Sequence, residues 1–257
     1  MPIHILLAVY AALFGLIVGS YLNVVIHRLP RGVSTVLPRS RCGHCGTVIR
    51  ARDNVPVLSW LLLRGRCRHC GSIIAWRYPF IEALTGLLFV AAMERFGPGV
   101  EAAVAALFGS ILIALAAIDA EHYILPDSIT LPGIAVGMAV QPLVSWAGIL
   151  PALVGALLGA GLLLAAWGGW YLLRGEEGMG LGDVKMLAMV GAFLGWKGVL
   201  VTLFFGSLLG AALGLALIAT GRGELGSKLP FGTFLAAGAA IALFWGPALA
   251  EAYLGLF

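Results

Sequence analysis

The segment VEAAVAALFGSILIALAAIDAEH, residues 100–122, indicates the class of fold. Its apolar run continues to Ile118, close to the roughly 20 residues that cross a bilayer as a helix, and then ends in acidic and polar residues. Similar runs recur along the 257-residue chain, of which 61% is hydrophobic and only 11% is charged. A water-soluble domain carries about 25% charged residues. The sequence therefore predicts an all-α polytopic membrane protein and excludes a disordered chain or a disulfide-stabilised miniprotein.

Turn residues divide the apolar sequence into about eight predicted transmembrane helices. We expect a first transmembrane helix at 1–26, a loop domain at 27–78 and a transmembrane bundle at 79–257. The segment at 184–196 would be only about 20 Å long as a helix, against a hydrocarbon core of about 30 Å, so its full crossing stays open. The expected spans are 3–26, 80–93, 100–118, 128–146, 150–173, 184–196, 199–220 and 231–254.

Positive charge is concentrated in one loop of the chain. Ten of the 16 Lys and Arg residues lie between Arg28 and Arg77, where Asp53 is the only acid. Such a loop beside transmembrane helices marks the cytoplasmic side more often than a nucleic-acid surface. We therefore expect no nucleic-acid partner, an N-terminus outside, and a first apolar segment that is a retained span instead of a signal peptide.

The chain's four cysteines occur in two matching hexapeptides within this loop. Cys42 and Cys45 form one pair, and Cys67 and Cys70 repeat it 25 positions later. Two such pairs suit the tetrahedral geometry of a structural zinc site, in which four protein ligands leave no position for a catalytic water. Disulfides or free thiols are the alternatives. A reducing cytoplasm disfavours the disulfides. The sequence thus predicts that 27–78 is a small cytoplasmic zinc-binding domain.

Two aspartates lie where predicted helices end or begin. Asp119 follows an apolar run at the C-terminal end of a helix, where the dipole disfavours an anion, whereas Asp183 opens a later helix, where the dipole favours one. If they meet, they form the pair that an aspartic peptidase needs, because two close carboxyl groups share one proton. The helix positions favour Asp183 as the base and Asp119 as the acid.

Other interpretations of these acids stay open. Asp183 alone could be an ordinary helix N-cap, and the glycine-rich segment 178–182 has some likeness to a phosphate-binding loop, although no soluble strand precedes it. Asp127 follows Pro126 and precedes an apolar span, so we expect it to cap that helix.

Several motifs follow one another along nearly the whole chain, and the paired cysteines are among them. The remaining motifs are Gly19-Ser-Tyr-Leu-Asn-Val-Val-Ile-His-Arg-Leu-Pro30, Pro56-Val-Leu-Ser-Trp60, Arg77-Tyr-Pro-Phe-Ile-Glu82, Ile118-Asp-Ala-Glu-His122, Leu125-Pro-Asp127, Gly180-Leu-Gly-Asp183 and Pro230-Phe-Gly232. In this order, the motifs resemble those of the type IV prepilin peptidases.

This resemblance implies a multi-pass aspartic endopeptidase of the bacterial inner membrane, with Asp119 and Asp183 as its catalytic pair. It implies that the enzyme removes the leader of type IV prepilins or type II secretion pseudopilins at the cytoplasmic face. It also implies that the new N-terminal amine is then methylated with S-adenosylmethionine.

Residues for methylation are harder to predict. Glu82 stands early in an apolar helix and should face the bundle or a polar cavity. Ser20, Asn23 and His27 share one face of the first span. Glu82 is a candidate for cofactor binding, with interhelical hydrogen bonding as the equal alternative.

Two further classes compete with a prepilin peptidase. The first is an intramembrane protease with a Gly-x-Gly-Asp motif and another helical substrate. The second is a zinc-containing membrane scaffold or transporter in which Asp119 and Asp183 carry ions or contact partners.

Overall fold

The computed structural model describes residues 3–176, 180–222 and 229–254, and the chain divides into two compact units, one ending at Ala114 and the other beginning at Leu115. Helices dominate the described residues, which contain isolated β-bridges but no extended strand, so the predicted all-α fold is confirmed. The helices are α1 Ile3–Arg28, α2 Leu58–Leu62, α3 Arg77–Phe96, α4 Val100–His122, α5 Asp127–Ala139, α6 Ile149–Arg174, α7 Leu181–Ala219 and α8 Phe231–Leu254.

Among the described residues, four helices are long and apolar enough to cross a membrane. They are α1 with the turn that follows it, α4, α6 and α7, while the described apolar part of α8, Phe231–Gly246, is shorter. The chain is therefore a membrane protein, and the predicted number of eight spans is not confirmed. The predicted helix at 128–146 is also shorter, because α5 ends at Ala139 and a 3-10 turn follows at Gln141–Leu143.

The first unit combines a helix pair with the cysteine loop. α1 packs along α3, and Gly19 of α1 comes so close that a Cβ atom there would lie 2.7 Å from Cα of Glu82. Each cysteine hexapeptide begins at one residue of an antiparallel bridge, Arg41 with Val48 and Arg66 with Ile73. The two halves of the loop therefore repeat the same local structure, as the repeated sequence predicts.

The second unit is organised around α7, which packs against α5, α6 and α8. α7 is interrupted at Gly195, whose φ of 72° lies in the region that favours glycine. The two predicted segments at 184–196 and 199–220 correspond to the parts of α7 before and after this break. A Cβ atom on Gly195 would also lie 3.4 Å from Pro151 of α6, so the break coincides with close helix packing.

A buried glutamine satisfies the backbone groups that the break exposes. Nε2 of Gln141 donates to the carbonyl oxygens of Ala192 at 2.7 Å and Phe193 at 3.2 Å. Its Oε1 accepts from the backbone N–H of Gly148 at 3.1 Å, and the indole N–H of Trp146 also donates to Phe193 at 3.0 Å. Broken helices are tolerated at membrane depth when side chains replace the lost backbone bonds in this way.

Replacing Gln141 with alanine should therefore destabilise the second unit. The variant leaves the Ala192 carbonyl and the Gly148 N–H without their Gln141 partner, whereas Phe193 keeps its bond from Trp146. Each lost partner costs about 1–3 kcal/mol, so we expect the free energy of unfolding to fall by about 3 kcal/mol. Denaturation of the purified protein in mixed micelles measures the change. Ser110→Ala is the control, because the Ser110 hydroxyl only donates to a carbonyl of its own helix. Equal losses in both variants would contradict the role of Gln141.

Candidate active site and metal centre

Asp119 lies in the last turn of α4 and contacts the first turn of α8. Its carboxyl group is buried, with 5% of the residue exposed. Oδ2 accepts a hydrogen bond from the backbone N–H of Thr233 at 2.8 Å and lies 3.2 Å from the Thr233 hydroxyl. A Cβ atom on Gly232 would lie 3.0 Å from the same oxygen, so glycine permits this approach. Asp119 thus occupies the N-terminal end of α8, where free N–H groups favour an anion.

Asp183 occupies the corresponding position at the start of α7. It lies in the first turn and is 8% exposed, and the N-cap of this helix is Gly180, with no side-chain capping bond. The structure therefore contradicts the N-cap interpretation of Asp183. Residues 177–179 of the glycine-rich segment lie outside the described residues.

One leucine links the beginnings of α7 and α8. A Cβ atom on Gly182 would lie 3.0 Å from Cβ of Leu125, and one on Gly232 would lie 2.9 Å from Cδ1 of the same residue. Asp183 follows the first glycine directly, and Asp119 contacts the second. The carboxyl groups of Asp119 and Asp183 lie near enough for their charges to repel each other. Both predicted catalytic residues therefore belong to one buried acidic site within the second unit.

The surroundings of this pair differ from those that the sequence predicted. The sequence places Asp119 at an unfavourable helix C-terminus, but the structure adds the favourable N-terminus of α8. Hydrogen bonds to its Oδ2 stabilise the carboxylate form of Asp119, whereas no donor within the described part of the chain bonds to the carboxyl group of Asp183. This arrangement favours Asp119 as the ionised member, the reverse of the assignment from helix position alone.

Asp127 does not cap α5, so the capping prediction is wrong. The N-cap residue is Pro126, and Asp127 is the first residue of the helix. Its two carboxylate oxygens instead lie 2.7 and 2.8 Å from Nζ of Lys185. This pair is partly exposed, and a salt bridge of that kind contributes about 0–1 kcal/mol. Asp127 therefore lies outside the buried pair.

The four cysteines form a cluster that fits a tetrahedral metal ion. The Sγ atoms of Cys42, Cys45, Cys67 and Cys70 all lie within 4.8 Å of one another, and those of Cys42 and Cys70 are 3.8 Å apart. Zn–S bonds of about 2.3 Å in a tetrahedron place two sulfurs about 3.8 Å apart. All four thiols are free, so the disulfide alternative is wrong in this structure.

Hydrogen bonds prepare at least one of these sulfurs to bind a cation. The backbone N–H groups of Cys45 and His44, together with the Ser72 hydroxyl, lower the pKa of Cys42 to about 5. The Ser72 hydroxyl and backbone also lower the pKa of Cys70. Metals bind the thiolate and not the thiol, so these bonds favour the ligand form at neutral pH.

Glu82 is buried between α1 and the cysteine loop. Its Oε2 accepts a hydrogen bond from the backbone N–H of Val57 at 2.7 Å, and it also accepts one from the Ser20 side chain. Val57 has a φ of 60°, which is strained for a β-branched residue. Glu82 therefore has the structural partners that the interhelical alternative predicted, and it holds a strained loop residue in place.

Glu82 also lines a cavity of about 610 Å³ in the first unit. The predicted face of α1, Ser20, Asn23 and His27, lines the same cavity. Cys42 and Cys67 contribute to its wall on the side of the loop. The volume suits a small-molecule ligand, since such cavities measure about 300–1,000 Å³.

Thr233 is the site residue that sequence reasoning missed. The motif Pro230-Phe-Gly232 ends just before it, and a proline ahead of an apolar run is a common signal of a helix start. Free N–H groups at such a start bind anions. From that signal we could have predicted that the start of α8 contacts a buried acid, but not that this acid is Asp119.

Two buried carboxyl groups that meet at helix ends in a helical membrane protein are the arrangement expected of a membrane aspartic hydrolase. The profile described as Bacterial Peptidase A24 N-terminal domain matches residues 13–96, and that of the Type IV leader peptidase family matches residues 106–215. The chain belongs to the type IV leader peptidase family, which confirms the resemblance inferred from its motifs.

Similar proteins cover almost the full chain. A prepilin leader peptidase/N-methyltransferase from Aeromonas hydrophila is 40% identical, over 95% of this chain and 93% of the relative. Proteins of the same name from Stutzerimonas stutzeri and Burkholderia pseudomallei are 38% and 41% identical, over 95% and 92% of this chain and 92% and 85% of their own lengths. No solved structure shows a significant match.

Proposed function

We propose that this chain is a prepilin leader peptidase and N-methyltransferase of the bacterial inner membrane. Its substrates would be type IV prepilins or type II secretion pseudopilins, cleaved at the cytoplasmic face. The observation that carries this proposal is the buried pair Asp119 and Asp183, in a chain 40% identical to a relative named for both activities. A transporter or scaffold would not explain this similarity along the whole chain.

We assign cleavage to the two aspartates acting on one water molecule. Asp119, held as a carboxylate by Thr233, accepts a proton from the water as its oxygen attacks the scissile carbonyl carbon. Asp183 donates its proton to the carbonyl oxygen, because two close carboxyl groups share one proton. When the C–N bond of the tetrahedral intermediate breaks, the leaving amine takes a proton from the pair.

Thr233 acts as a positioning residue for Asp119 in this mechanism. The Thr233 hydroxyl lies 3.2 Å from Oδ2 of Asp119 and 3.1 Å from the Ala116 carbonyl oxygen, so its one proton bonds within the last turns of α4. Thr233→Val removes this hydroxyl and keeps the backbone N–H, so we expect kcat for cleavage to fall roughly tenfold with KM unchanged, as for the loss of one hydrogen bond that positions a charged group. Cleavage kinetics on a prepilin substrate measure both constants. Thr220→Val is the control, because the bonds of the Thr220 hydroxyl to the described residues all go to carbonyls of α7. An unchanged kcat, or a change in KM alone, would contradict this role.

The path of the chain supports the placement of both aspartates at the same face of the membrane. The starts of α7 and α8 both contact Leu125, so the intervening chain leaves this site and returns to it. A return requires an even number of crossings, and the break at Gly195 divides α7 into two. The part before Gly195 is about 21 Å long, so it would cross a locally thinned region. We therefore retain eight spans, formed by α1, α3, α4, α5, α6, the two parts of α7, and α8.

We propose that the cysteine cluster holds a structural zinc ion. Four thiolate ligands complete the coordination shell and leave no open position for substrate or water. The ion would fold a loop of the zinc-binding domain at 27–78 that is too polar to form its own core. The bundle at 79–257 would then carry the peptidase activity.

We place the methyl-transfer site in the cavity of the first unit. S-adenosylmethionine would supply an electrophilic methyl group there, and Glu82 would contribute a carboxylate to the cavity wall. Glu82 would contribute its carboxylate to the wall while its Oε2 still accepts the hydrogen bond from the backbone N–H of Val57. The cavity is large enough for the cofactor and lies beside the metal-binding loop.

One assay tests the two activities together. The purified protein is incubated with a prepilin and S-adenosylmethionine, and the product is weighed by mass spectrometry. We expect loss of the leader and the addition of one methyl group. Loss of the leader without added methyl would restrict the chain to a peptidase, and an intact substrate would contradict the proposed function.

A further inference from the structure

The short helix α2 exposes its apolar side chains and buries a polar one. All three of its leucines are more than half exposed, Leu58 at 52%, Leu61 at 58% and Leu62 at 73%. Ser59 is only 7% exposed, and its hydroxyl donates to the carbonyl oxygen of Arg52 at 3.0 Å. A helix on a water-exposed surface has the opposite polarity, with its apolar side facing the core. The outward face of α2 is therefore unsuited to water.

The inner face of α2 is fixed to the rest of the cysteine loop. The indole N–H of Trp60 donates to the carbonyl oxygen of Ile74 at 3.0 Å, and a Cβ atom on Gly65 would lie 2.9 Å from the Trp60 ring. The backbone N–H of Val55 donates to the Ser59 hydroxyl at 3.0 Å. Rotating α2 to bury its leucines would break these contacts, so the apolar face stays outward.

The beginning of α2 is tied to a membrane-spanning helix. The backbone N–H of Val57, directly before α2, donates to Oε2 of Glu82 in α3 at 2.7 Å, and the same carboxyl group accepts from the Ser20 side chain of α1. α1 is long and apolar enough to span a bilayer, and Ser20 lies about 12 Å along the helix from its last residue, Arg28. A basic side chain at a helix end reaches the lipid headgroups. α2 therefore begins near the level at which α1 enters the hydrocarbon region.

Residues on the C-terminal side of α2 have the chemistry of a membrane interface. Trp76, the N-cap residue of α3, is exposed and packs edge-to-face against Phe80, and tryptophan is enriched where membranes meet water. Arg64 and Arg66 follow α2 closely and are both exposed. Arginines beside an apolar face are attracted to anionic lipid headgroups. This combination favours a lipid surface over a protein as the occupant of the outward face.

We infer that α2 is an interfacial anchor, with Leu58, Leu61 and Leu62 inserted into the lipid leaflet on the loop's side of the membrane. Apolar faces of this kind lie at the boundary between headgroups and acyl chains. Because Ser59 and Trp60 bond to the loop, the anchor draws the cysteine loop onto the membrane surface. It would hold the cavity of the first unit beside the lipid whether or not that cavity binds a methyl donor.

Spin-label accessibility of the full-length protein in lipid nanodiscs tests this anchor. The variant Leu62→p-acetylphenylalanine carries a nitroxide on its ketone, which leaves the four cysteines unlabelled. We expect its collisions with dissolved oxygen to exceed those with a water-soluble nickel chelate, with the ratio seen for a label at Leu13, an exposed residue near the middle of α1. A label at Arg52 is the control for water, because this residue is exposed and bonds to the buried face of α2.

Two outcomes of this experiment would overturn the inference. A collision ratio at Leu62 equal to that at Arg52 would place the leucines in water. Low collision rates with both oxygen and nickel would show a protein contact instead of lipid, made by another part of the chain or by a second copy.

Limited trypsin digestion in nanodiscs is a second test that needs no label. Leu61→Gln/Leu62→Gln makes the outward face polar, so we expect cleavage after Arg64 to accelerate roughly tenfold or more, as for the loss of one buried leucine. Val48→Gln is the matched control, because Val48 is an exposed apolar residue of the same loop outside α2, and it should be cleaved at the wild-type rate. An unchanged rate in the double variant, or equal acceleration in both variants, would contradict the anchor.

Discussion

Replacing either Asp119 or Asp183 with asparagine is expected to lower the rate of prepilin cleavage about 10³-fold or more. Asparagine has nearly the same shape as aspartate but cannot accept or donate the proton that general acid–base catalysis requires, and such catalysis contributes about 10²–10⁴-fold. The amide can still accept a hydrogen bond from Thr233 in place of Asp119. The fold should therefore survive while cleavage is lost.

Cleavage rates by mass spectrometry test this prediction, with Asp127→Asn as the matched control. That variant makes the same substitution in the same unit, but at a partly exposed residue paired with Lys185. We expect Asp127→Asn to cleave at close to the wild-type rate. All three variants should methylate a product peptide that has already lost its leader. Cleavage retained by Asp119→Asn or Asp183→Asn would remove that residue from the catalytic pair.

Removal of the proposed zinc ion is expected to unfold the cysteine loop and to weaken binding of the methyl donor. Four thiolates brought within 4.8 Å of one another repel each other without a cation, and metal binding supplies folding free energy to such small domains. Cys42 and Cys67 are metal ligands in this account and also line the cavity. Loss of the metal should therefore weaken S-adenosylmethionine binding by about tenfold or more.

Limited trypsin digestion of the chelator-treated protein measures the loosening of the loop. Many of its potential cleavage sites lie at arginines in the segment 40–75, so unfolding there should accelerate digestion strongly. Cleavage after Arg174, which is exposed at the end of α6, serves as the internal control and should keep its rate. Added zinc should restore protection and binding, and added magnesium should not. A loop that remains equally resistant without metal would contradict a structural role for the ion.

Much of the fold follows from local sequence, because helix formation depends on residues close together in the chain. The apolar runs predicted α1 and the helices from α3 to α8, and the repeated cysteine hexapeptides predicted the cluster of four thiols. The boundary positions of Asp119 and Asp183 made them candidates for function, since acids beside apolar helices are costly, and the structure buries both. The number of membrane spans was harder to predict, because length and hydropathy do not show whether a helix as short as the part of α7 before Gly195 crosses the bilayer.

The environment of the site depends on contacts between distant residues, which local patterns do not contain. Asp119 and Thr233 are 114 positions apart, so the helix dipole that stabilises Asp119 belongs to α8 and not to its own helix. Asp127 has the sequence context of a helix cap, yet its carboxylate forms an ion pair with Lys185, 58 positions away.

The double variant Asp119→Asn/Asp183→Asn tests most directly whether the two carboxyl groups act on one water molecule. Residues that act as a unit show strongly non-additive effects on rate. Single-turnover cleavage of a prepilin should therefore be as slow in the double variant as in each single variant, with all three proteins folded. A single variant that retains measurable cleavage, together with a double variant whose loss is the product of the two, would contradict a shared catalytic site.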